Sequence, residues 1–280
     1  MKIGVILSTY NSPAWLEKVL WGYEEQTHDA FELVIADDGS DDRTRQLIER
    51  FQCRGHLAIK HVWHPDDGFR KTEILNQALM ATDADYLIFS DGDCIPRSDF
   101  VSVHDAHAQP QRFLSAGYYK MSLAVSRSLT ESDIRGGAAF DADHLNKLGQ
   151  PRSHRDLRLR VGASWGPWLS RLTPTAATWN GANSSGWRHD LLNAGGFDLR
   201  MKYGGEDREL GERLHNAGIR GLGIRYQAIC LHLDHDRGYV TQEDWDRNNS
   251  IREQTRRSGR TRTEHGIDRL NNALDQVHAA

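Results

Sequence analysis

Tyr86-Leu87-Ile88-Phe89-Ser90-Asp91-Gly92-Asp93 is a short apolar run that stops on two carboxylates around a glycine. A run of this length, bounded by turn residues, reads as a strand buried on both faces. The same pattern recurs upstream. Ile3–Leu7 ends in Ser8-Thr9-Tyr10-Asn11-Ser12-Pro13, and Phe31–Ala36 ends in Asp37-Asp38-Gly39-Ser40. Leu57–Trp63 is a further strand-like run, followed by the loop Pro65–Gly68. Between these runs the apolar spacing becomes helical. Trp15, Leu16, Val19, Leu20 and Tyr23 follow Pro13, a residue suited to a first helical turn. Ser40 or Asp41 can cap a helix carrying Leu47, Ile48 and Phe51. Lys71–Ala81 reads as a helix with Ile74, Leu75, Ala78 and Leu79 inside. Strand and helix in alternation predict an α/β fold with parallel strands and right-handed crossovers. Such sheets bind ligands beyond the carboxyl ends of their strands. Thr9–Asn11, Asp37–Gly39 and Asp91–Asp93 all leave strands at that edge. One such cluster is an ordinary turn; three at one edge predict a site.

Downstream the pattern weakens. Between Gly117 and Thr178 the only legible element is a helix near Asp141–Leu148. Around it lie the Arg-rich piece Arg152–Arg160 and the stretch Gly162–Trp168, and a long irregular segment of this kind suits a lid or substrate loop. Helices are predicted at His189–Ala194 and Glu206–Ala217, and a strand at Ile224–Leu231. Arg247, Arg252, Arg256, Arg257, Arg260 and Arg262 form a basic tail. It reads first as a solvated helix or frayed terminus, and second as a contact for anionic lipid or glycan.

Composition sets the outer bounds. The chain has 280 residues, 38% hydrophobic and 26% charged, which is a globular composition rather than a disordered one. The net charge of −4, from 35 basic and 39 acidic residues, argues against a basic nucleic-acid binder. No apolar run approaches the roughly 20 residues that span a bilayer, and no signal-peptide pattern opens the sequence. Cys53, Cys94 and Cys230 are scattered without C-x-x-C spacing, which suits a reduced, cytoplasmic protein without a zinc ribbon.

Five groups of residues can carry chemistry. Asp91 and Asp93 offer the carboxylate oxygens that Mg²⁺ or Mn²⁺ prefers. His232-Leu233-Asp234-His235 follows a late strand, and imidazole suits Mn²⁺ better than Mg²⁺. Gly204-Gly205-Glu206-Asp207 allows close backbone approach and opens a helix, whose dipole favours ionised carboxylates. A carboxylate held there is a candidate general base. Trp179-Asn180-Gly181-Ala182-Asn183-Ser184-Ser185-Gly186 is small and polar behind an aromatic, a pattern that fits sugar binding and equally a plain loop. Finally, Arg70 can meet phosphate, and Asn76 a ribose or sugar, although six residues apart they fall on different faces of an ideal helix.

With these groups in place, the chain resembles the family 2 glycosyltransferases of GT-A fold. Val5–Asn11 looks like their opening strand, Ala36–Ser40 like their nucleotide-binding turn, and Asp91-Gly92-Asp93 like their D-x-D. Trp179 to Arg237 resembles the C-terminal part of β-1,4-galactosyltransferases and chondroitin-polymerase-type enzymes. The resemblance implies a Rossmann-like, mostly parallel central sheet flanked by helices, with an acceptor-side C-terminal portion. It implies one GT-A domain over residues 1–237, with a nucleotide-binding half at 1–110 and an acceptor-side half at 111–237, followed by an Arg-rich extension at 238–280.

Carried over by position, Thr9, Asn11 and Asp38 would hold the uracil and ribose of a UDP-sugar, with Asp37 beside them. Arg70 would approach the nucleotide or diphosphate. Asp91, with Gly92, would face ribose or sugar, and Asp93 would bind Mn²⁺ or Mg²⁺. His235 is the first choice for a second metal ligand and His232 the next. Asp207 would be the catalytic base and Glu206 a substrate contact, with Asn180, Gly181, Tyr203 and Gly205 lining the substrate. Arg208 stands where those enzymes have a further acidic residue, and Tyr203 where they usually have Trp. The implied reaction is inverting transfer to a saccharide or lipid-linked saccharide acceptor in surface polysaccharide or glycolipid synthesis. It would take place in the cytoplasm, with the Arg-rich tail as a peripheral contact at the inner membrane face and no nucleic-acid partner. The alternatives are a retaining UDP-sugar transferase, a nucleotide-sugar-binding module without catalysis, and a nucleotidyltransferase. Polypeptide N-acetylgalactosaminyltransferases share the Gly-Gly-Glu but carry Asn at the position of Asp207, so this Asp favours inversion. A nucleotidyltransferase would normally carry a Gly-rich activating loop that Thr9–Pro13 lacks.

Overall fold

A computed structural model of the chain describes residues 1–161, 165–173, 175–235 and 241–270. Parts of the stretch Gly162–Trp168, of the His235–Arg237 end of the C-terminal resemblance and of the extension 238–280 therefore lie outside the described residues. The first half alternates as the apolar runs dictate. It runs β1 (Ile3–Thr9), α1 (Pro13–Glu24), β2 (Phe31–Asp37), α2 (Asp42–Arg54), β3 (Ala58–Trp63), α3 (Lys71–Ala81) and β4 (Tyr86–Asp91). Pro13 opens α1 at its first turn. Asp41, not Ser40, caps α2 by accepting the Arg43 N–H, and Gly55 closes that helix at φ +70°. Ser40 instead accepts the Asn11 N–H at 2.8 Å.

Next come β5 (Cys94–Pro96), α4 (Phe100–His107), β6 (Arg112–Ser115) and β7 (Gly117–Lys120). The stretch in which only one helix was legible holds α5 (Leu123–Ser128), α6 (Glu131–Arg135), α7 (Ala142–Lys147), α8 (Leu157–Arg160) and α9 (Gly166–Leu172). Then follow β8 (Asn183–Trp187), α10 (Arg188–Asn193), α11 (Glu206–Asn216), β9 (Arg220–Gly223), β10 (Ile229–His232) and α12 (Gln242–Ser258). The strand expected at Ile224–Leu231 is thus corrected to the shorter β10, and β9 lies before that range. Ile224 and Ala228 are apolar because they fill the core under a turn, in which the Gln227 and Ala228 N–H groups bond to the Ile224 carbonyl.

The main sheet has the order β3-β2-β1-β4-β8-β6-β9, and a smaller one the order β5-β10-β7. β1, β2, β3 and β4 are parallel. β8 runs antiparallel to both β4 and β6. Both faces are covered: Val5 and Leu7 pack with Leu16 and Leu20 of α1, while Ile6 packs with Val34 and with Leu79 of α3. Register puts Thr9 beside Asp37 and Ser8 beside Asp91, so the three polar clusters do share one edge.

β8 was read as part of a polar loop, yet it lies inside the sheet. Its buried polar groups are satisfied, as the interior requires. Ser185 Oγ meets the Tyr86 hydroxyl at 2.8 Å and His104 Nδ1 at 2.7 Å. His104 Nε2 meets Asn183 Oδ1 at 3.0 Å, and burial pushes this imidazole down to about 4, so it is neutral at pH 7.

The frayed-terminus reading of the basic tail also gives way. α12 is capped by Thr241 and packs along α11. Arg252 pairs with Glu212 at 2.7 Å, and Thr255 Oγ1 donates to Glu209 at 2.8 Å. Buried Asn248 donates from Nδ2 to the carbonyls of Lys202, Tyr203 and Gly204 at 3.2, 3.1 and 3.0 Å.

Candidate active site

At the β1–β2 corner the predicted nucleotide residues knit two loops together. Asn11 sits at φ +43° and accepts the Asp41 N–H at 2.9 Å. Asp37 is fully buried between the Ser40 N–H and His61 Nε2, at 2.8 and 2.9 Å. Asp38 meets His64 Nε2 at 2.8 Å and accepts the Arg70 N–H at 3.1 Å. The Arg70 guanidinium bonds to the Pro65 carbonyl at 2.6 Å and lies against Glu73. Thr9 Oγ1 is buried without a partner, and a Cβ on Gly92 would stand 3.1 Å from it and 2.9 Å from the Ser8 carbonyl. The D-x-D can therefore turn here only with a glycine between its carboxylates. Asn76 does not reach a ligand. It is fully buried, bonding through both amide atoms to the Phe197 backbone at 2.7 and 2.8 Å.

Asp93 and the late histidines converge because β5 pairs with β10, placing Cys94 beside His232. Asp93 Oδ2 lies 3.0 Å from His235 Nε2 and 3.7 Å from His232 Nε2. Asp93, Cys94 and His232 offer ligand atoms within 4.8 Å of one another. The His232 ring lies 4.9 Å from Tyr118, and its Nδ1 is buried without a partner. A carboxylate with two imidazoles is a donor set for Mn²⁺ more than for Mg²⁺.

The acidic pair lies at the start of α11. Gly204 and Gly205 have φ of +105° and +90°, values open to glycine. Glu206 Oε2 accepts the Gly204 N–H at 3.0 Å. Asp207 accepts the Gly181 N–H at 3.1 Å through Oδ2 and the Arg208 N–H at 2.7 Å through Oδ1. Gly181 is thereby tied to Asp207. Asn180 Nδ2 is spent on the backbone carbonyls of Ala116 and Asn183, both at 3.1 Å, so it shapes the loop. Trp179, the aromatic of that loop, is no sugar platform: it is buried against Phe89 and Phe113, with centroids at 5.4 and 5.7 Å. Tyr203 packs edge-on to Phe69 and Trp245, at 6.2 and 6.5 Å.

The sequence reading missed Lys71. Its Nζ lies 2.8 Å from Asp91 Oδ1. Burial works against the ammonium, but Asp91, Glu206 and Asp207 outweigh it and hold its pKa above the usual lysine value. Burial likewise opposes ionised Asp91, yet Lys71 and the Ser8 hydroxyl, 2.6 Å away, keep that carboxyl below its ordinary value. One cation thus links the D-x-D to the α11 carboxylates. The available signal was a lysine opening a helix at the ligand edge.

Burial raises the Asp207 carboxyl, and the Gly181 and Arg208 N–H groups offset this only in part. Burial and then the Asp207 charge push Glu206 from 4.5 up to about 7. Between those values the folded chain holds a proton that the unfolded chain has lost. Stability therefore falls as pH rises through this window, and the penalty is complete above pH 7. Glu206→Gln removes it. Relative to wild type, the variant is expected to be more stable at pH 8 than at pH 5, by on the order of 2 kcal/mol. Denaturant titrations at both pH values measure this; equal differences at the two would refute the burial assigned to Glu206.

A mostly parallel sheet with an acidic turn at its ligand edge, joined there by a histidine segment and an acidic helix start, defines a GT-A fold. Residues 4–113 match the model of the family described as Glycosyl transferase family 2. The chain is similar to that family over these residues, which hold the D-x-D turn. It is 31% identical over 242 residues to the validoxylamine A glucosyltransferase of Streptomyces hygroscopicus subsp. jinggangensis (strain 5008), covering 84% of this chain and 56% of that protein. In structure it is similar to the mannosyltransferase PcManGT from Pyrobaculum calidifontis in complex with GDP-Man and Mn²⁺. The TM-score is 0.57 at 21% identity, over 85% of this chain and 58% of that one. It is also similar to S. aureus TarS 1-349 in complex with UDP, with a TM-score of 0.60 at 19% identity, over 90% of this chain and 64% of that one. The chain thus spans less than two thirds of each of these three proteins.

Proposed function

We propose that the chain is a metal-dependent glycosyltransferase that moves a sugar, with inversion, from a UDP-sugar to a hydroxyl of a saccharide acceptor in surface polysaccharide or glycolipid synthesis. The observation that carries this reading is the meeting of remote segments. Asp93 stands 3.0 Å from His235, while Lys71 joins Asp91 to the field of Glu206 and Asp207. The relative bound to GDP-Man and Mn²⁺ and the one bound to UDP support a nucleotide-sugar donor. Three free thiols, and no described helix long and apolar enough to cross a membrane, fit a cytoplasmic setting.

In this reading Thr9, Asn11 and Asp38 hold the nucleotide, and Asp91 faces its ribose or sugar. Asp93 and His235, with His232, would hold Mn²⁺, which would offset charge on the diphosphate leaving group. Asp207 takes the proton from the acceptor hydroxyl, whose oxygen attacks the anomeric carbon from the face opposite UDP. The Gly181 and Arg208 N–H groups aim its carboxylate. Glu206, protonated over part of the neutral range, can donate to a substrate oxygen.

UDP release from a panel of UDP-sugars, with and without Mn²⁺, tests this. One donor is expected to be hydrolysed slowly, and only with the cation present. Tight UDP binding with no turnover of any donor, with or without saccharide acceptors, would instead identify a binding module.

A further inference from the structure

Arg158 and Arg225 come together over Gly117, the first residue of β7. A Cβ at Gly117 would stand 3.1 Å from Arg225 Cγ and 3.3 Å from Arg158 Nη1. Arg158 donates to the Tyr118 carbonyl, and Arg225 donates to Thr175 Oγ1 at 3.2 Å. Neither forms an ion pair with a carboxylate among the described residues. Burial lowers the Arg158 pKa, and the like charge of Arg225 adds to this. Partly buried guanidinium groups without an acid are an uncompensated cost, and their fork geometry matches carboxylate and phosphate.

The surroundings point to the acceptor side. Tyr118 lies on His232, a proposed metal ligand. The Gly117 carbonyl accepts Asn183 Nδ2 at 2.9 Å, in the same loop whose Gly181 holds Asp207. α9 adjoins this point: the Tyr226 N–H donates to Ser170 Oγ at 3.3 Å, beside Arg225. α9 and its N-cap turn outward Trp165, 71% exposed, and Trp168, 65% exposed, three residues apart on one face. Gly166 and Ser170 are the α9 residues that meet Tyr226 and Gln227, so the two tryptophans stand on the outer side of the helix that borders the arginines.

We propose that Arg158 and Arg225 bind the carboxylate or phosphate of an anionic saccharide acceptor. This rests on the glycosyltransferase reading above and narrows its substrate class. The probes are glucuronate and glucose 6-phosphate, with glucose as the neutral control, followed by tryptophan fluorescence and calorimetry. Saturating UDP and Mn²⁺ keep the donor site filled.

Saturable binding of at least one charged sugar is expected, at least tenfold tighter than glucose. It should weaken tenfold or more in Arg225→Gln, and in Arg158→Gln as a second variant, with UDP affinity and UDP-sugar hydrolysis within twofold of wild type. Arg225→Gln leaves the Arg158 bond to β7 in place, so the fold has its own control. No saturable binding, equal binding by the variants, or a matching loss of UDP affinity overturns the proposal. So does binding only to anionic phospholipid vesicles, which would make this face a membrane contact. If charged sugars bind as expected but no UDP-sugar is ever turned over, the transferase reading fails while the anion site stands.

Discussion

Asp207→Asn is expected to give a folded protein that binds UDP as wild type does and transfers sugar about 10²–10⁴-fold more slowly. The amide keeps the shape of the carboxylate, and its oxygen can still accept an N–H from Gly181 or Arg208. What it loses is the capacity to take a proton. A loss in kcat with little change in the donor KM would mark a group acting on the reacting atoms rather than in binding. Circular dichroism and UDP calorimetry control for folding. If the folded variant transfers within threefold of wild type, the base lies elsewhere, and Glu206 is the next residue to replace.

The second large effect belongs to Asp93→Asn. It removes the negative charge 3.0 Å from His235 and 3.7 Å from His232, leaving two imidazoles with a neutral amide between them. Activation by Mn²⁺ is expected to need at least about 100-fold more cation, beyond the 10–100-fold typical of groups that only support a ligand. UDP-sugar turnover should fall with it. His235→Ala is expected to shift the Mn²⁺ titration more than His232→Ala, since His235 stands closer to Asp93. An unchanged half-activating concentration in Asp93→Asn would remove the metal assignment and leave Asp207 untouched.

The parts of this molecule that were legible are those where one physical rule dominates. β1, β2 and β4 lie between helical layers, so Ile3–Leu7, Phe31–Ala36 and Tyr86–Ser90 had to be apolar on both faces. The convergence of Thr9, Asp37 and Asp91 followed from strand direction alone, and the register agrees. β8 was opaque because its side chains violate the apolar rule. Ser185 and Asn183 are stable inside through partners remote in the chain, among them His104 and Tyr86, nearly 80 to 100 residues distant. α5 through α9 have four to seven residues each, too few to display a helical period. Lys71 looked like the first turn of a helix, and nothing local announces that its ammonium reaches Asp91. Trp179 erred in the other direction: a large aromatic beside small polar residues suggested sugar, and the core claimed it.

Asn248 has a consequence for anyone who would cut this protein down. The family match ends at residue 113, and the D-x-D half looks self-sufficient. Yet the carbonyls of Lys202, Tyr203 and Gly204 all hang from one amide on α12, and Trp245 and Arg252 wall in Gly204 and Gly205. The acidic helix start is thus held in shape from behind, by a helix far along the chain from the D-x-D. Trimming or transplanting the amino-terminal half would carry the D-x-D turn and leave behind the frame that shapes Glu206 and Asp207.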